Sequence, residues 1–285
     1  MVAIQDGGWR EQVRSLLRLG GPLIVNNLAV AGMQFADAVM AGRLGADALA
    51  AVAVGGSVWF LGFSFCLGLL MAISPIAARH FGAGDKALIG RYTRQGIYLG
   101  LCMGALLILL GQFAVAPMLV AIGIDPEFRD LTVGYVGAIM FGGPGIFIFL
   151  ALRFTTEGVG HTRPIMFTSL FALVCNVFLN YVLMFGKFGA PALGVLGCGI
   201  ASAITMWLVA AALAGHMFFS RFYRPFAIFS RLAPLRSSVL KEIVVLGVPI
   251  AITITAEAGM ISAVSILNGT RGTEITAAHQ IANHF

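Results

Sequence analysis

The stretch that decides the fold is residues 48–78, ALAAVAVGGSVWFLGFSFCLGLLMAISPIAA, which contain no charged side chain. About 20 helical residues cross the apolar core of a bilayer, so this stretch is long enough to span a membrane. Six other stretches are comparable, four without any charge and two with one carboxylate each. The charge-free ones are 95–124, 131–152, 164–186 and 188–220, and the others are 19–42, with Asp37, and 243–270, with Glu257. The sequence therefore predicts seven spans and an all-α integral membrane protein, a polytopic helical bundle.

The composition supports the same class. Hydrophobic residues make up 59 % of the chain and charged residues 11 %, whereas soluble domains carry about 25 % charged residues. No phosphate-binding glycine loop, nucleophile elbow or metal-spaced group of His and Cys occurs in the sequence. We therefore expect neither an enzyme nor a bound cofactor.

Glycine and proline interrupt several of these spans. Because the spans near Ser74-Pro75 and Ala116-Pro117 exceed the length that a bilayer needs, we expect loops or helix ends there. Gly142-Gly143-Pro144-Gly145 lies in the middle of the fourth span, where proline removes a hydrogen-bond donor and glycine weakens a helix. This motif predicts a kink or hinge, although membrane helices also tolerate both residues without one.

The basic residues indicate an orientation. All but four of the 18 Lys and Arg residues lie at the N-terminus or in the loops that share its side of the membrane, the exceptions being Arg43, Arg129, Lys187 and Arg271. The positive-inside rule then places the N-terminus in the cytoplasm. The net charge of +6 thus reports orientation, not a nucleic-acid partner. The longest polar connection, 221–242, is interpreted as a linker; binding of anionic lipid head groups is an alternative use of its basic residues.

An internal repeat relates the two ends of the sequence. At an offset of 227 residues, Leu19-Gly20-Gly21-Pro22 aligns with Leu246-Gly247-Val248-Pro249, and positions 19–54 share 12 of 36 residues with their counterparts. Six spans separate the copies, so they enter the membrane in the same direction, as in a parallel repeat. We expect a six-helix lobe at 1–220, a linker at 221–242 and the start of a second lobe at 243–285. This organisation predicts a truncated sequence whose full form has twelve helices; a complete seven-helix protein is the alternative.

Two carboxylates lie within predicted spans. A charged side chain at the bilayer centre costs at least about 2.5–3.5 kcal/mol on insertion scales, so Asp37 and Glu257 are candidates to bind a proton or a cation in a bundle interior. For Asp37 the alternative is a position near the outer interface with Arg43 as its partner. Glu257 has no basic residue within a dozen positions on either side.

Uncharged polar residues could complete such a site. Asn176 and Asn180 are four residues apart and therefore share one helix face, where their amides could bind a cation or a carboxylate. Hydrogen bonding between helices is an equal alternative. Ser202, taken alone, is typical of a small residue at a helix contact.

The order of several motifs resembles the multidrug and toxic compound extrusion (MATE) transporters, most closely the NorM-like and DinF-like bacterial branches. The resemblance extends from about residue 15 to residue 285. The motifs are Gly20-Gly-Pro22, Gln34-Phe-Ala-Asp37-Ala-Val-Met-Ala-Gly42-Arg-Leu-Gly45, Gly82-Ala-Gly84-Asp85, Glu157-Gly158, Asn176 with Asn180, and Ala277-Ala-His-Gln280.

The resemblance implies two six-helix bundles that open alternately to either side of a bacterial inner membrane. It implies a monomeric secondary antiporter that exports cationic or amphipathic compounds in exchange for Na⁺ or H⁺. Asp37, Asn176 and Asn180 match the coupling site of the N-terminal lobe, and Ser202 stands where the family usually has Thr. Glu257 matches a carboxylate of a C-terminal cation site that this sequence does not complete. A lipid-linked oligosaccharide flippase of the same superfamily is the alternative, although two acids without an evident base favour cationic cargo.

Overall fold

The computed structural model describes residues 9–121, 126–229 and 234–269. Within these ranges the chain forms ten α-helices and one short 3-10 turn, and no strand. The all-α fold predicted from composition is therefore confirmed for this part of the chain. The helices are α1 Trp9–Leu44, α2 Ala46–Met71, α3 Ile73–Gly82, α4 Lys86–Phe113, α5 Val115–Ala121, α6 Pro126–Met140, α7 Gly143–Gly158, α8 Arg163–Phe185, α9 Gly194–Phe219 and α10 Ser237–Gly269, with the 3-10 turn at Arg224–Phe226.

Seven spans are accounted for among the described residues. Six helical segments are long and apolar enough to cross a bilayer, and α6 with α7 forms a seventh that is bent by 46°. The bend lies at the predicted Gly142–Gly145 motif. Pro144 stands at the start of α7, where a helix needs no backbone donor. The predicted kink is therefore confirmed.

The two other proline sites lie at helix ends, one of the two outcomes expected there. α2 ends at Met71 and α4 ends at Phe113, but α3 and α5 begin two residues later. Pro75 and Pro117 then lie in the first turn of the new helices, where the missing N–H costs no hydrogen bond. The expected helix ends are therefore confirmed, and each break is a single residue because proline is readily accommodated at the start of the next helix.

Three glycines of α4 allow close packing against α7. Gly96, Gly100 and Gly104 are four residues apart, so they share one face of the helix. An added Cβ at Gly104 would lie 2.5 Å from the backbone nitrogen of Pro144, and one at Gly100 would lie 3.2 Å from the backbone of Phe147. Small residues at this spacing bring membrane helices close together, and here they fix α4 against the helix that follows the bend.

α1 and α8 run parallel in a defined register. Ser169 donates a hydrogen bond to Asn26, and Asn180 donates one to Asp37. In both helices the two contacts are eleven residues, or about three turns, apart. Because the later residue of α1 pairs with the later residue of α8, the first and fifth spans cross the membrane in the same direction.

The linker is docked on α4. Tyr223, Phe226 and Ile228 are buried, and the carbonyl of Phe226 lies so close to Gly90 that an added Cβ would be 1.7 Å away. Arg94 donates to the backbone carbonyls of Ala227 and Ile228. The first part of the linker is therefore a packed element of the N-terminal bundle.

The end of the linker is also tied to α4. The Gln95 side chain donates to the carbonyl of Pro234 at 3.0 Å and accepts from the backbone N–H of Arg236 at 3.2 Å. α10 then begins at Ser237, so the predicted linker 221–242 ends in the first turns of a helix. The charged side chains of Lys241 and Glu242 therefore lie on α10.

α10 packs mainly against α2. An added Cβ at Gly68 would lie 2.4 Å from the Cα of Ala251, and one at Gly247 would lie 2.4 Å from the carbonyl oxygen of Leu69. Like α1 with Pro22, α10 contains an internal proline, Pro249, at the position that the sequence repeat matches. Residues 270–285 of the predicted second lobe lie outside the described residues.

Candidate functional site

The polar cluster of the bundle is centred on Asp37 of α1. Its side chain is partly buried, and the amide of Asn180 on α8 donates a hydrogen bond to its Oδ1. The same amide nitrogen lies 3.3 Å from Oδ1 of Asn176, one turn earlier on α8. Both asparagines are buried. The structure therefore brings together three of the residues that the sequence singled out. Asp37 and Asn180, which are bonded directly, are 143 positions apart along the chain.

The cluster has one buried oxygen acceptor that lacks a donor. Oδ1 of Asn180 is buried and has no hydrogen-bond partner among the described residues. None of the three ion pairs found in the described ranges includes Asp37, so the alternative pairing with Arg43 is not formed. A buried acceptor beside an unpaired carboxylate is costly unless something supplies positive charge or a donor. The arrangement is suited to take up a proton or a small cation.

The side chains of the cluster are not the ligands of a transition-metal site. The part of the chain that the structure describes has no group of three or more His, Cys, Asp or Glu side chains that could hold a metal ion. Carboxylate and amide oxygens are instead the ligands of hard cations.

Two residues that sequence reasoning missed lie close to this cluster. Tyr135 of α6 and Cys198 of α9 are buried and near enough to interact electrostatically with Asp37. Neither carries a motif, and only the packing of α9 against α8 and of α6 against α9 brings them here.

Ser202 lies one turn beyond Cys198 on α9, on the same helix face. It is buried, with a relative exposure of 6 %. The hydrogen bonds of the described residues include none between Ser202 and Asp37, Asn176 or Asn180. Ser202 is therefore a neighbour of the cluster and not a bonded member of it.

Glu257 lies apart from this cluster. It is on α10 and its side chain is exposed, and α10 packs against α2 and α4 instead of α1 and α8. No ion pair of Glu257 is found within the described ranges. The structure thus assigns the two predicted carboxylates to different places.

A second polar group joins the linker to the α7–α8 connection, outside the spans. Nδ1 of His161 is 2.9 Å from the hydroxyl of Tyr223, and the ring centroids of His161 and His216 are 6.3 Å apart. Burial, together with the nearby His216 and Arg163, lowers the pKa of His161. Burial also raises the pKa of Tyr223. Both groups are therefore uncharged at neutral pH.

The fold and this cluster define a multi-pass helical membrane protein with a buried carboxylate–amide site between its first and fifth spans. The sequence matches the MatE family over residues 22–182. The chain belongs to the MatE family, as its motifs indicated.

Curated relatives match almost the whole chain. The probable multidrug resistance protein NorM of Shewanella oneidensis is 35 % identical over 275 residues, which are 96 % of this chain and 60 % of the relative. The multidrug resistance protein MdtK of Photorhabdus laumondii is 36 % identical over 278 residues, again 96 % of this chain and 60 % of the relative. The chain thus spans about 60 % of the length of these relatives.

Solved structures share the fold at lower identity. A eukaryotic MATE transporter, AtDTX14, superposes with a TM-score of 0.82 and 24 % identity, over 92 % of this chain and 57 % of that one. A MOP superfamily transporter from Pyrococcus furiosus superposes with a TM-score of 0.81 and 21 % identity, over 95 % of this chain and 59 % of that one. These likenesses concern the architecture.

Proposed function

We propose that the protein to which this chain belongs is a secondary antiporter that exports cationic or amphipathic compounds in exchange for Na⁺ or H⁺. The observation that carries the proposal is the Asp37–Asn180–Asn176 cluster, a carboxylate without a cationic partner next to an amide oxygen without a donor. The relatives named as multidrug resistance proteins support the export of such compounds. They are the reason to expect export and not uptake.

The hydrogen bonds of the cluster differ between its occupied and empty states. With Asp37 ionised, the amide of Asn180 donates to the carboxylate. A proton on Asp37 or a Na⁺ among the oxygens removes the net negative charge and engages the free Oδ1 of Asn180. Either event changes the bonds between α1 and α8, because Asp37 and Asn180 belong to these two helices.

Coupling follows if cargo and cation favour different arrangements of α1. A ligand shifts a conformational equilibrium only by its differential affinity for the two states. A positively charged compound gains most from an ionised Asp37, and a bound proton or Na⁺ removes that gain. Competition of this kind makes cation entry release the cargo. The exposed Glu257 is assigned by the same proposal to a separate cation site in the second lobe.

The test is dye efflux from vesicles that contain the full-length protein, under an imposed Na⁺ or H⁺ gradient. Asp37→Asn removes the charge and keeps the size of the side chain, and it is expected to abolish gradient-dependent export. Asp47→Asn is the matched control, because Asp47 is an exposed carboxylate in the first turn of α2. Equal export by wild type and Asp37→Asn, with correct insertion of both, would contradict the assignment.

The gradient that drives export identifies the ion. Absence of dye movement under either gradient, with a folded protein, would favour the flippase alternative. The corresponding assay then follows a fluorescent lipid from one leaflet to the other.

A further inference from the structure

The notch between the end of α9 and the docked linker is a second candidate binding site. It has a volume of about 170 Å³ and is lined by Met217, Phe218, Tyr223, Arg224, Ala227, Ile228 and Phe229. α9 leaves the membrane here, since its spanning segment ends at Phe219. We propose that this notch binds one anionic phospholipid, whose phosphate is held by Arg224 and whose acyl chain lies along Phe218 and Phe229.

The charge of the notch is unbalanced. Arg224, the charged residue of its lining, is exposed and takes part in no ion pair formed by the described residues. The carbonyl end of α9 also faces this region, but a helix terminus carries only about half a unit charge. The full positive charge of Arg224 outweighs it. A guanidinium group also binds phosphate through two parallel hydrogen bonds.

The walls of the notch are apolar and aromatic. Phe218 is 60 % exposed and Phe229 is 43 % exposed, and their ring centroids are 6.1 Å apart. Apolar side chains such as Phe at a membrane surface are buried at the boundary between head groups and acyl chains. A soluble phosphate gains nothing from such walls, whereas a phospholipid satisfies both the cationic rim and the apolar sides. This pairing favours a lipid over a free anion.

The notch is held in shape before any ligand arrives. Ala227 has a left-handed backbone, with φ of 52°, and its carbonyl accepts a hydrogen bond from Arg94. Phe226 is packed in the protein interior, and the hydroxyl of Tyr223 bonds to His161. Because the linker is fixed on both sides of Arg224, this arginine is presented at a defined point of the membrane surface. A site of this kind differs from a diffuse basic surface, which has no fixed geometry.

The experiment titrates the full-length purified protein with phosphatidylglycerol or phosphatidylcholine of equal chain length and counts bound lipids by native mass spectrometry. Wild type is expected to retain one phosphatidylglycerol in preference to phosphatidylcholine. Arg224→Gln is expected to weaken this binding about fivefold, the factor that corresponds to one basic side chain at an anionic surface. Arg224→Lys is expected to recover only part of it, because an ammonium group cannot form the paired hydrogen bonds.

The matched control is Lys187→Gln, which removes one exposed positive charge in the connection between α8 and α9. It should leave phosphatidylglycerol binding unchanged. Equal binding by wild type and Arg224→Gln, an equal loss in Lys187→Gln, or full recovery by Arg224→Lys would each overturn the site, since each indicates a general charge effect. Displacement of the lipid by millimolar inorganic phosphate would also overturn it.

A folding defect is detected separately. Thermal unfolding in phosphatidylcholine should be the same for wild type and Arg224→Gln. If that variant is unstable, Phe218→Ala provides the second measurement, because Phe218 is mostly exposed and its loss should weaken phosphatidylglycerol binding without undocking the linker. Unchanged binding by a stable Phe218→Ala would contradict the assignment of the acyl chain. None of these readouts depends on transport.

Discussion

Replacing Gly90 by Ala should release the linker from α4. A Cβ at position 90 would lie 1.7 Å from the carbonyl oxygen of Phe226 and 2.8 Å from its carbonyl carbon, whereas real Cβ contacts are essentially never under 3.0 Å. The linker must therefore move away by about 1.3 Å. Both obstructing atoms belong to the backbone, so no side-chain rotation can relieve the clash.

The size of the effect follows from what the linker buries. Phe226 is 1 % exposed, and full burial of a Phe side chain is worth about 1.5–3 kcal/mol. The helix propensity of Ala acts equally on the docked and undocked states and so cancels, and a displaced linker loses only part of the burial of Phe226. Docking should thus weaken by about 1–2 kcal/mol, which corresponds to a factor of about 5–30 in the docking equilibrium.

The assay is hydrogen–deuterium exchange of the full-length protein, read on peptides that cover 221–229. Exchange in Gly90→Ala is expected to be about 5–30 times faster than in wild type, in line with the weaker docking. Gly215→Ala on α9 is the control, because no atom lies within 4 Å of a Cβ at that position. It should leave the linker peptides unchanged.

Two results would refute the reasoning. One is wild-type exchange in Gly90→Ala, which would mean that the linker does not contact α4 as described. The other is equal acceleration in both variants, which would point to a general loss of stability. Because the lipid notch depends on the docked linker, Gly90→Ala should also lose preferential binding of phosphatidylglycerol.

The remaining predictions concern pH and helix packing. The pKa of His161 is lowered in the folded protein, so the unfolded chain takes up its proton first as the pH falls below about 6.5. Thermal stability of wild type should therefore fall between pH 7 and pH 5, and His161→Gln should reduce this slope; equal slopes would exclude His161 as the cause. In α4, Gly104→Ala places a Cβ 2.5 Å from Pro144, and overpacking of this kind costs about 1–3 kcal/mol. Its melting temperature should lie below that of Gly56→Ala, whose Cβ meets no atom within 4 Å; equal values would contradict the close packing of α4 on α7.

The spans could be predicted from the sequence because a membrane imposes one simple rule on composition. A stretch such as 48–78 needs no knowledge of its partners to be recognised. The bend at Gly142–Gly145 was also predictable, because its cause is the local effect of glycine and proline on a helix and not a contact with another helix. The short helices α3 and α5 were not, because Pro75 and Pro117 are compatible with either the end or the beginning of a helix.

The candidate site was predictable only in part. The spacing of Asn176 and Asn180 gives a shared face, but nothing in that spacing points to Asp37, and the family resemblance supplied the connection. Tyr135 and Cys198 carry no signal because ordinary core residues look the same. The glycine spacing of α4 could have predicted its close packing on α7, but the partner helix is known only from the fold.

The docking of the linker has a mechanical consequence for any motion of the two lobes. Residues 221–229 are fixed to α4, Arg79 and Glu242 form an ion pair of 2.7 Å, and Ala251 lies against Gly68 of α2. In the described arrangement these contacts hold the first half of α10 to the N-terminal helices, although the repeat predicts that it belongs to a second lobe. We therefore predict that a hinge which leaves these contacts intact lies after Ala251 in the chain and not in the polar linker. With such a hinge, the boundary between the repeats and the boundary between the moving bodies are at different residues.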